Sequence, residues 1–273
     1  CTTYYQQLVI NRKSYVMNQN IPQTPGAALY ETSGLVSQYM DFHYGPDIFG
    51  VPNFPAACIN FLHSTLPFKS FDRCLDVGCA VGRSSFEMAK YFTHVDAIDY
   101  SSGFIDAAKS LQQNGIARYT TPTEGQLTLD CQLSLESLVS SDISNRVNFH
   151  TGDACELPKS MCDYDLVFAG NLIDRLYQPK LFLDSMSHRI RNGGWLVITS
   201  PYTWLEDYTP THHWLGGYTD KNGNSIDTIT GLSRTLHPKF KLHCQENVPF
   251  VIRETARKHQ HTIAELTAWQ RTG

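Results

Sequence analysis

The residues of this chain best suited to chemistry sit directly after apolar runs. Asp76-Val-Gly-Cys-Ala-Val-Gly82 follows the short run that begins at Arg73. Glycines at 78 and 82 let a backbone turn sharply and let a ligand lie against the main chain. Asp99 closes a second apolar run about 20 residues on, where a carboxylate can take both hydroxyls of a ribose. The pattern predicts a nucleotide-like ligand lying across the carboxyl ends of parallel strands. A dinucleotide fingerprint needs Gly-x-Gly-x-x-Gly to cradle a pyrophosphate. Here the middle position is Ala80, and Arg83 follows Gly82. A carboxylate at Asp76 would repel phosphate and suits an ammonium or sulfonium group. No Gly-Lys-Ser/Thr follows the loop, which excludes a P-loop.

S-Adenosylmethionine carries an ammonium and a sulfonium and no phosphate, and it is the cofactor these residues point to. The candidate cofactor-binding residues are Asp76, Gly78, Cys79, Ala80, Gly82 and Arg83 in the loop, and Asp99, Tyr100 and Ser101 after the second run. Asp153 and Ala154 after a third run, and Asn171 after a fourth, complete the set. This order of segments resembles that of methyltransferases. The resemblance implies that Asp153 accepts a hydrogen bond from the adenine amino group, and that 171–174 lies on the acceptor side. Asp153 as a simple turn cap is the alternative.

The elements that must position these residues are legible in the periodicity. Short strands are predicted at Arg73–Gly78, Val95–Tyr100, Val147–Gly152, Tyr164–Ala169 and Trp195–Ser200. Helices are predicted over Ser84–Phe92, from the Ser101 cap to Gln113, and over Lys180–Arg191, ending at Asn192-Gly-Gly194. Two further helices, Thr32–Phe42 and Pro55–Leu66, precede the first strand. Phe240–Val248 and Thr262–Gln270 read as two strands joined through 249–258, with no helix between them. Alternating strands and helices predict an α/β fold: a doubly wound, Rossmann-like, seven-stranded methyltransferase sheet, mostly parallel with an antiparallel edge pair. The expected division is an arm or linker at 1–29 and one domain at 30–273. Within that domain, 30–66 forms a helical lid, and 118–145 and 203–226 are insertions; 118–145 reads as a hairpin or a short extra helix.

Composition narrows the class. The chain has 273 residues, 41% of them apolar and 18% charged, with a net charge of −4. No basic face is evident, which argues against nucleic acid as a partner. No run approaches the roughly 20 apolar residues of a membrane span. Eight scattered cysteines form no Cys-x-x-Cys pair, which predicts free thiols and a reducing, cytoplasmic setting. His212, His213, His259 and His261 have no carboxylate or cysteine completing a motif, so no metal is expected. A chain beginning at Cys1 reads as processed, or as a piece of a longer one.

The sequence resembles one family in particular, the C-terminal methyltransferase domain of the ovothiol biosynthesis enzyme, a 5-thiohistidine (4-mercaptohistidine) N-methyltransferase. The resemblance spans about 30–270. It rests on Gln38-Tyr-Met-Asp-Phe-His-Tyr-Gly-Pro46, Asp76–Glu87, Gly152-Asp-Ala-Cys155 and Asn171-Leu-Ile-Asp-Arg-Leu176. It continues in Ser200-Pro-Tyr-Thr-Trp-Leu205, Trp214-Leu-Gly-Gly217 and Pro249-Phe-Val-Ile-Arg-Glu254 with Arg257-Lys258. It implies methyl transfer from adenosylmethionine to the imidazole nitrogen nearest the amino-acid backbone. It also implies an upstream iron-dependent sulfoxide synthase domain as partner, with residues 1–29 the tail of the linker.

An amino-acid acceptor needs partners of both charges. Arg175 and Arg253 are candidates for its carboxylate, and Asp174 and Glu254 for its ammonium; structural ion pairs are the alternative. Tyr39, Phe42, His43 and Tyr44 are read as a lid over the acceptor, or as a helix simply packed on the sheet. Tyr202 and Trp204 follow the fifth strand and either line the site or fill the core. Asn171, Tyr44 and His43 are the candidates for direct action on the acceptor. Two other functions stay open: methylation of another small amine or thiol, and a non-catalytic module that binds adenosylmethionine.

Overall fold

The computed structural model describes residue 30 and residues 32–67 and 71–273; the arm expected at 1–29 lies outside them. Helices α1 (Ser33–Tyr44) and α2 (Phe54–Thr65) come first. The Thr32 hydroxyl caps α1 by accepting from Leu35 N, and the Asn53 side chain caps α2 by accepting from Ala56 N. Then follow β1 (Arg73–Val77), α3 (Arg83–Ala89), β2 (His94–Asp99) and α4 (Ser102–Asn114). Ser101 caps α4, and Gly115 ends it in a left-handed conformation. A hairpin of β3 (Ile116–Glu124) and β4 (Leu127–Ser134) and a short helix α5 (Ser141–Ser144) occupy the stretch before β5 (Val147–Thr151). The chain continues through β6 (Tyr164–Gly170), α6 (Pro179–Arg189), β7 (Ile190–Ser200), β8 (Tyr218–Thr219) and β9 (Ser225–Ile226). It ends with α7 (Thr228–Leu236), β10 (Phe240–Arg253) and β11 (His259–Arg271).

Seven strands form one sheet in the order β10-β11-β7-β6-β1-β2-β5. All neighbours are parallel except β11, which runs antiparallel to both β7 and β10. The chain builds β1, β2 and β5 toward one edge, then returns to β6 and β7 on the other side of β1. That reversal opens a crevice beyond the carboxyl ends of β1 and β6. Alternation along β1 divides the core. Cys74 packs on one face with Phe86, Phe92 and Phe104, while Leu75 and Val77 pack on the other with Tyr164 and Phe182. Burying each such large side chain contributes about 1.5–3 kcal/mol.

Three expectations are corrected. Strands β10 and β11 extend beyond 240–248 and 262–270, because Pro249 continues the ladder opposite Ile263. β10 is an edge strand, so a residue without an N–H costs no bond to a further neighbour. β7 begins at Ile190, so Asn192-Gly-Gly194 lies inside a strand, where the register to β6 shifts, and does not end α6. Helix α7 was not anticipated; β-branched residues and Gly231 weaken its intrinsic helical signal.

The last strands also build part of the roof of the site. β11 pairs with β7 only from Glu265 to Gln270, yet it pairs with β10 back to His259. The excess length projects as a two-stranded arm. Phe250 on the arm meets Phe54 of α2, ring centroids 4.9 Å apart, and Phe42 of α1 at 5.6 Å. The arm's turn reaches the β3–β4 hairpin, where Ala256 N donates to Thr123 O. Below, Gly82 turns the chain from the β1 loop into α3 at φ +87°, and a Cβ there would stand 2.7 Å from Phe149 Cζ. Gly82→Ala is expected to destabilise the fold by about 1–3 kcal/mol, through strain and the shift forced on Phe149. Urea unfolding measures this, and an unchanged midpoint would contradict the packing described.

Candidate functional site

A cavity of about 240 Å³ opens at the carboxyl ends of β1, β2, β5 and β6; a second hollow, beside Asp41 and Arg253, has only about 20 Å³. Its floor is the loop after β1. Gly78 N and Cys79 N both donate to Ile98 O, at 2.8 and 3.2 Å, which clamps the loop to β2. Ala80 is held at φ +47°, in the left-handed region that L-residues enter at a cost. Its N–H donates to Asp99 Oδ2 at 2.8 Å, while Asp99 Oδ1 accepts from Ser101 N at 2.9 Å. One carboxylate therefore shapes the loop and presents itself in the cavity wall.

Asp76 sits just behind this floor. Its Oδ2 accepts from Ser84 and Ser85 hydroxyls at 2.6 Å, and Ser84 lines the cavity. Its Oδ1 is buried without a partner among the described residues. Burial raises the carboxyl to about 6, against the pull of the two serine bonds. Asp153, after β5, lines the cavity and also caps a turn. Its Oδ1 accepts from Cys155 N at 2.7 Å, and its Oδ2 accepts from Tyr177 Oη at 3.1 Å.

The other half of the cavity is walled by residues after β6 and by the cap. Asn171 is at φ +49°, its N–H shared by the carbonyl and hydroxyl of Thr199, and its Oδ1 accepting from that hydroxyl at 3.1 Å. Asp174 is fully buried; Oδ2 accepts from Arg175 Nη1 at 2.8 Å and from Thr203 N and Oγ1, while Oδ1 has no partner among the described residues. Arg175 also donates to Thr203 O and lies over the Tyr208 ring, Cζ 4.8 Å from its centroid. Tyr39, Phe42 and His43 enter from α1. Burial, helped by the Arg83 charge, lowers His43 to about 3, so its imidazole is neutral.

The cavity thus brings together Gly78, Ala80, Asp99, Tyr100, Ser101, Asp153 and Ala154 with Asn171, Asp174, Arg175, Tyr39, Phe42 and His43. Several other candidates are placed elsewhere. Tyr44 does not line the cavity; it donates to Val81 O at 2.7 Å and fastens α1 to the glycine loop. Arg83 does not line the cavity; it donates to Glu87 at 2.8 Å and to His43 O at 3.2 Å. Cys79 and Gly82 serve as loop backbone, and the Cys79 side chain is buried. Tyr202 turns away and donates to Glu265 at 2.6 Å, and Trp204 is core, donating to Thr228 and stacked on Trp214. Arg253 lines the small second hollow, and Glu254 pairs with Lys258 and Gln260 in the turn of the arm.

Tyr30, Phe54, Phe104, Tyr177, Tyr208, Phe250 and Ile252 line the cavity and were not foreseen. Strand alternation gives the signal for two of them. Reading β10 through Pro249 puts Phe250 and Ile252 on one face and Arg253 on the other.

Residues 75–196 match the family model described as a methyltransferase domain. No curated protein matches the chain in sequence. Among solved structures, the cyclase SpnF aligns with TM-score 0.58 at 16% identity, over 92% of this chain and 98% of its own. The magnesium protoporphyrin IX methyltransferase of Synechocystis, solved with bound S-adenosylmethionine, aligns with TM-score 0.55 at 12% identity, over 94% of this chain and 100% of its own. A putative methyltransferase of Bacillus halodurans aligns with TM-score 0.52 at 12% identity, over 80% and 100%. With the seven-stranded order above, these establish the fold of the class I S-adenosylmethionine-dependent methyltransferases.

The Asp76 carboxyl has a signed consequence. Its value is raised from 3.8 to about 6, so between those values the folded protein keeps a proton that the unfolded chain has lost. Asp76 then contributes less to stability as pH rises through that window. Asp76→Asn removes this titration and makes the change in stability between about pH 4 and pH 6 more favourable to the folded state than in the parent. Urea midpoints at the two ends check it, and equal pH dependence in both proteins would contradict the burial.

Proposed function

We propose that this chain transfers a methyl group from S-adenosylmethionine to the imidazole nitrogen nearest the backbone of 5-thiohistidine, giving ovothiol A. The observation that carries the reading is one cavity with two chemically distinct halves. Asp99 and Asp153 line it after β2 and β5, on one side of β1, and Asn171, Asp174 and Arg175 line it after β6, on the other. The acceptor's identity is supported by the sequence resemblance at 38–46, 171–176 and 249–258. The fold alone does not choose a reaction, since a cyclase shares it.

The residues present fit adenosylmethionine. Asp99 would take the ribose hydroxyls and Asp153 the adenine amine. Asp76, with one buried unpartnered oxygen behind Ser84, sets a negative charge under the loop that favours a cation and disfavours a phosphate. When bound, the cofactor supplies a methyl group on a sulfonium centre. The chain's own part is to bind, orient and exclude water. His43 stays neutral, so it adds no positive charge beside a cationic ligand. Tyr39, Phe42 and Phe250 wall the cavity with aromatic side chains that displace water. Asp174 Oδ1 and the Arg175 guanidinium offer opposite charges at one wall, as the ends of an amino acid require.

The same reading places the chain downstream of an iron-dependent sulfoxide synthase, in the same polypeptide or beside it. It also places it in a reducing cytoplasm, supported by seven described cysteines that are all free thiols. Among the described residues, no helix is long and apolar enough to cross a membrane. The −4 net charge supports a small-molecule acceptor over nucleic acid.

Incubation with adenosylmethionine and 5-thiohistidine is expected to add one methyl group, located on that ring nitrogen by nuclear magnetic resonance. Methylation of another amine or thiol with none on 5-thiohistidine would overturn the acceptor. Asp99→Ala is expected to weaken cofactor binding roughly tenfold or more, measured by calorimetry, through loss of hydrogen bonds to an ionised group. Unchanged affinity would refute the ribose placement.

A further inference from the structure

Asp153 is held from two directions. Its Oδ1 accepts from Cys155 N at 2.7 Å, within its own turn, and its Oδ2 accepts from Tyr177 Oη at 3.1 Å. Tyr177 belongs to a different segment, the loop between β6 and α6 that also carries Asn171, Asp174 and Arg175. A second contact runs beside the first, Cys155 Sγ donating to Gln178 O at 3.6 Å, so the loops after β5 and β6 are joined twice. Both Asp153 and Tyr177 line the cavity. Burial, with Cys155 and Asp153 beside it, keeps the Tyr177 phenol protonated. The phenol is therefore the donor and the carboxylate the acceptor. A carboxylate has about four acceptor sites, so these two bonds leave Asp153 able to accept from a ligand. They also restrict it, because a carboxylate bonded at both oxygens cannot turn without breaking one of the bonds.

We infer that Tyr177 is a positioning residue for the cofactor: its hydroxyl holds the Asp153 carboxylate in the orientation that accepts the adenine amino group. This rests on the placement of adenine at Asp153 proposed above, and it adds to nucleoside recognition a residue from the loop after β6. Without the hydroxyl the ring still fills its place, but the carboxylate gains freedom that the ligand must then remove on binding.

The test is calorimetric binding of two ligands, S-adenosylhomocysteine and its analogue with hydrogen in place of the adenine amino group. The parent is expected to bind the analogue roughly tenfold more weakly than S-adenosylhomocysteine. Tyr177→Phe keeps the ring and removes the hydroxyl. It is expected to weaken S-adenosylhomocysteine roughly fivefold and to leave the affinity for the analogue unchanged. In an Asp153→Ala background the same substitution is expected to have no further effect on either ligand. Unchanged S-adenosylhomocysteine affinity in Tyr177→Phe would overturn the positioning role and leave the adenine placement standing. So would an equal loss for both ligands, the result if the phenol only braces the loop, or a full fivefold loss in the Asp153→Ala background. A parent that binds both ligands alike would overturn the adenine placement, and the role of Tyr177 with it.

Discussion

Asp99 binds two backbone N–H groups, Ala80 on the loop after β1 and Ser101 at the start of α4. Much of the site follows from those two bonds. Ala80 stands where a glycine would be unstrained, and a left-handed alanine needs a compensating contact to persist. The Asp99 carboxylate supplies it and so fixes the loop that forms the cavity floor. On its other side it fixes Ser101, whose hydroxyl caps α4 and also donates to Tyr30 O at 2.9 Å. A single buried-edge carboxylate thus connects floor, helix and roof.

The roof is assembled from parts distant in sequence. Helices α1 and α2 come before the sheet and the β10–β11 arm comes last; they meet through Phe42, Phe54 and Phe250. Tyr44 ties α1 down to the loop at Val81, and Gln38 reaches the arm at Arg253 O, so the cap is tethered to both floor and arm. Beneath it, Asp76 and Asp174 each leave one buried oxygen unpaired among the described residues. Such groups cost about 1–3 kcal/mol each in a folded protein. One lies behind the loop after β1 and the other after β6, on the two sides of the cavity floor.

Sequence reading recovered what local pattern determines. The five parallel strands, the caps at Ser101 and Gly115, and the order of Asp76, Asp99 and Asp153 all follow from residues near one another in the chain. Side-chain direction depends on packing and was not legible. Tyr44 and Arg83 lie beside site residues in sequence yet point into hydrogen bonds with Val81, Glu87 and His43. Tyr202, Trp204, Arg253 and Glu254 belong to the resembling segments but serve the core and the arm. Tyr30 stands two residues before the α1 cap and Tyr208 in a turn, where no periodicity of the sequence indicates a facing direction. Pro249 concealed the length of β10 because an edge strand tolerates what an inner strand does not.

The proposed reaction requires one cavity to hold the nucleoside and the acceptor side by side, with Asn171 between the two. A crystal structure with S-adenosylhomocysteine and 5-thiohistidine bound together tests it most directly. Ribose is expected on Asp99, adenine on Asp153, and the imidazole beyond Asn171, under Tyr39 and Phe250. Nucleoside bound away from Asp99, or the acceptor outside this cavity, would contradict it.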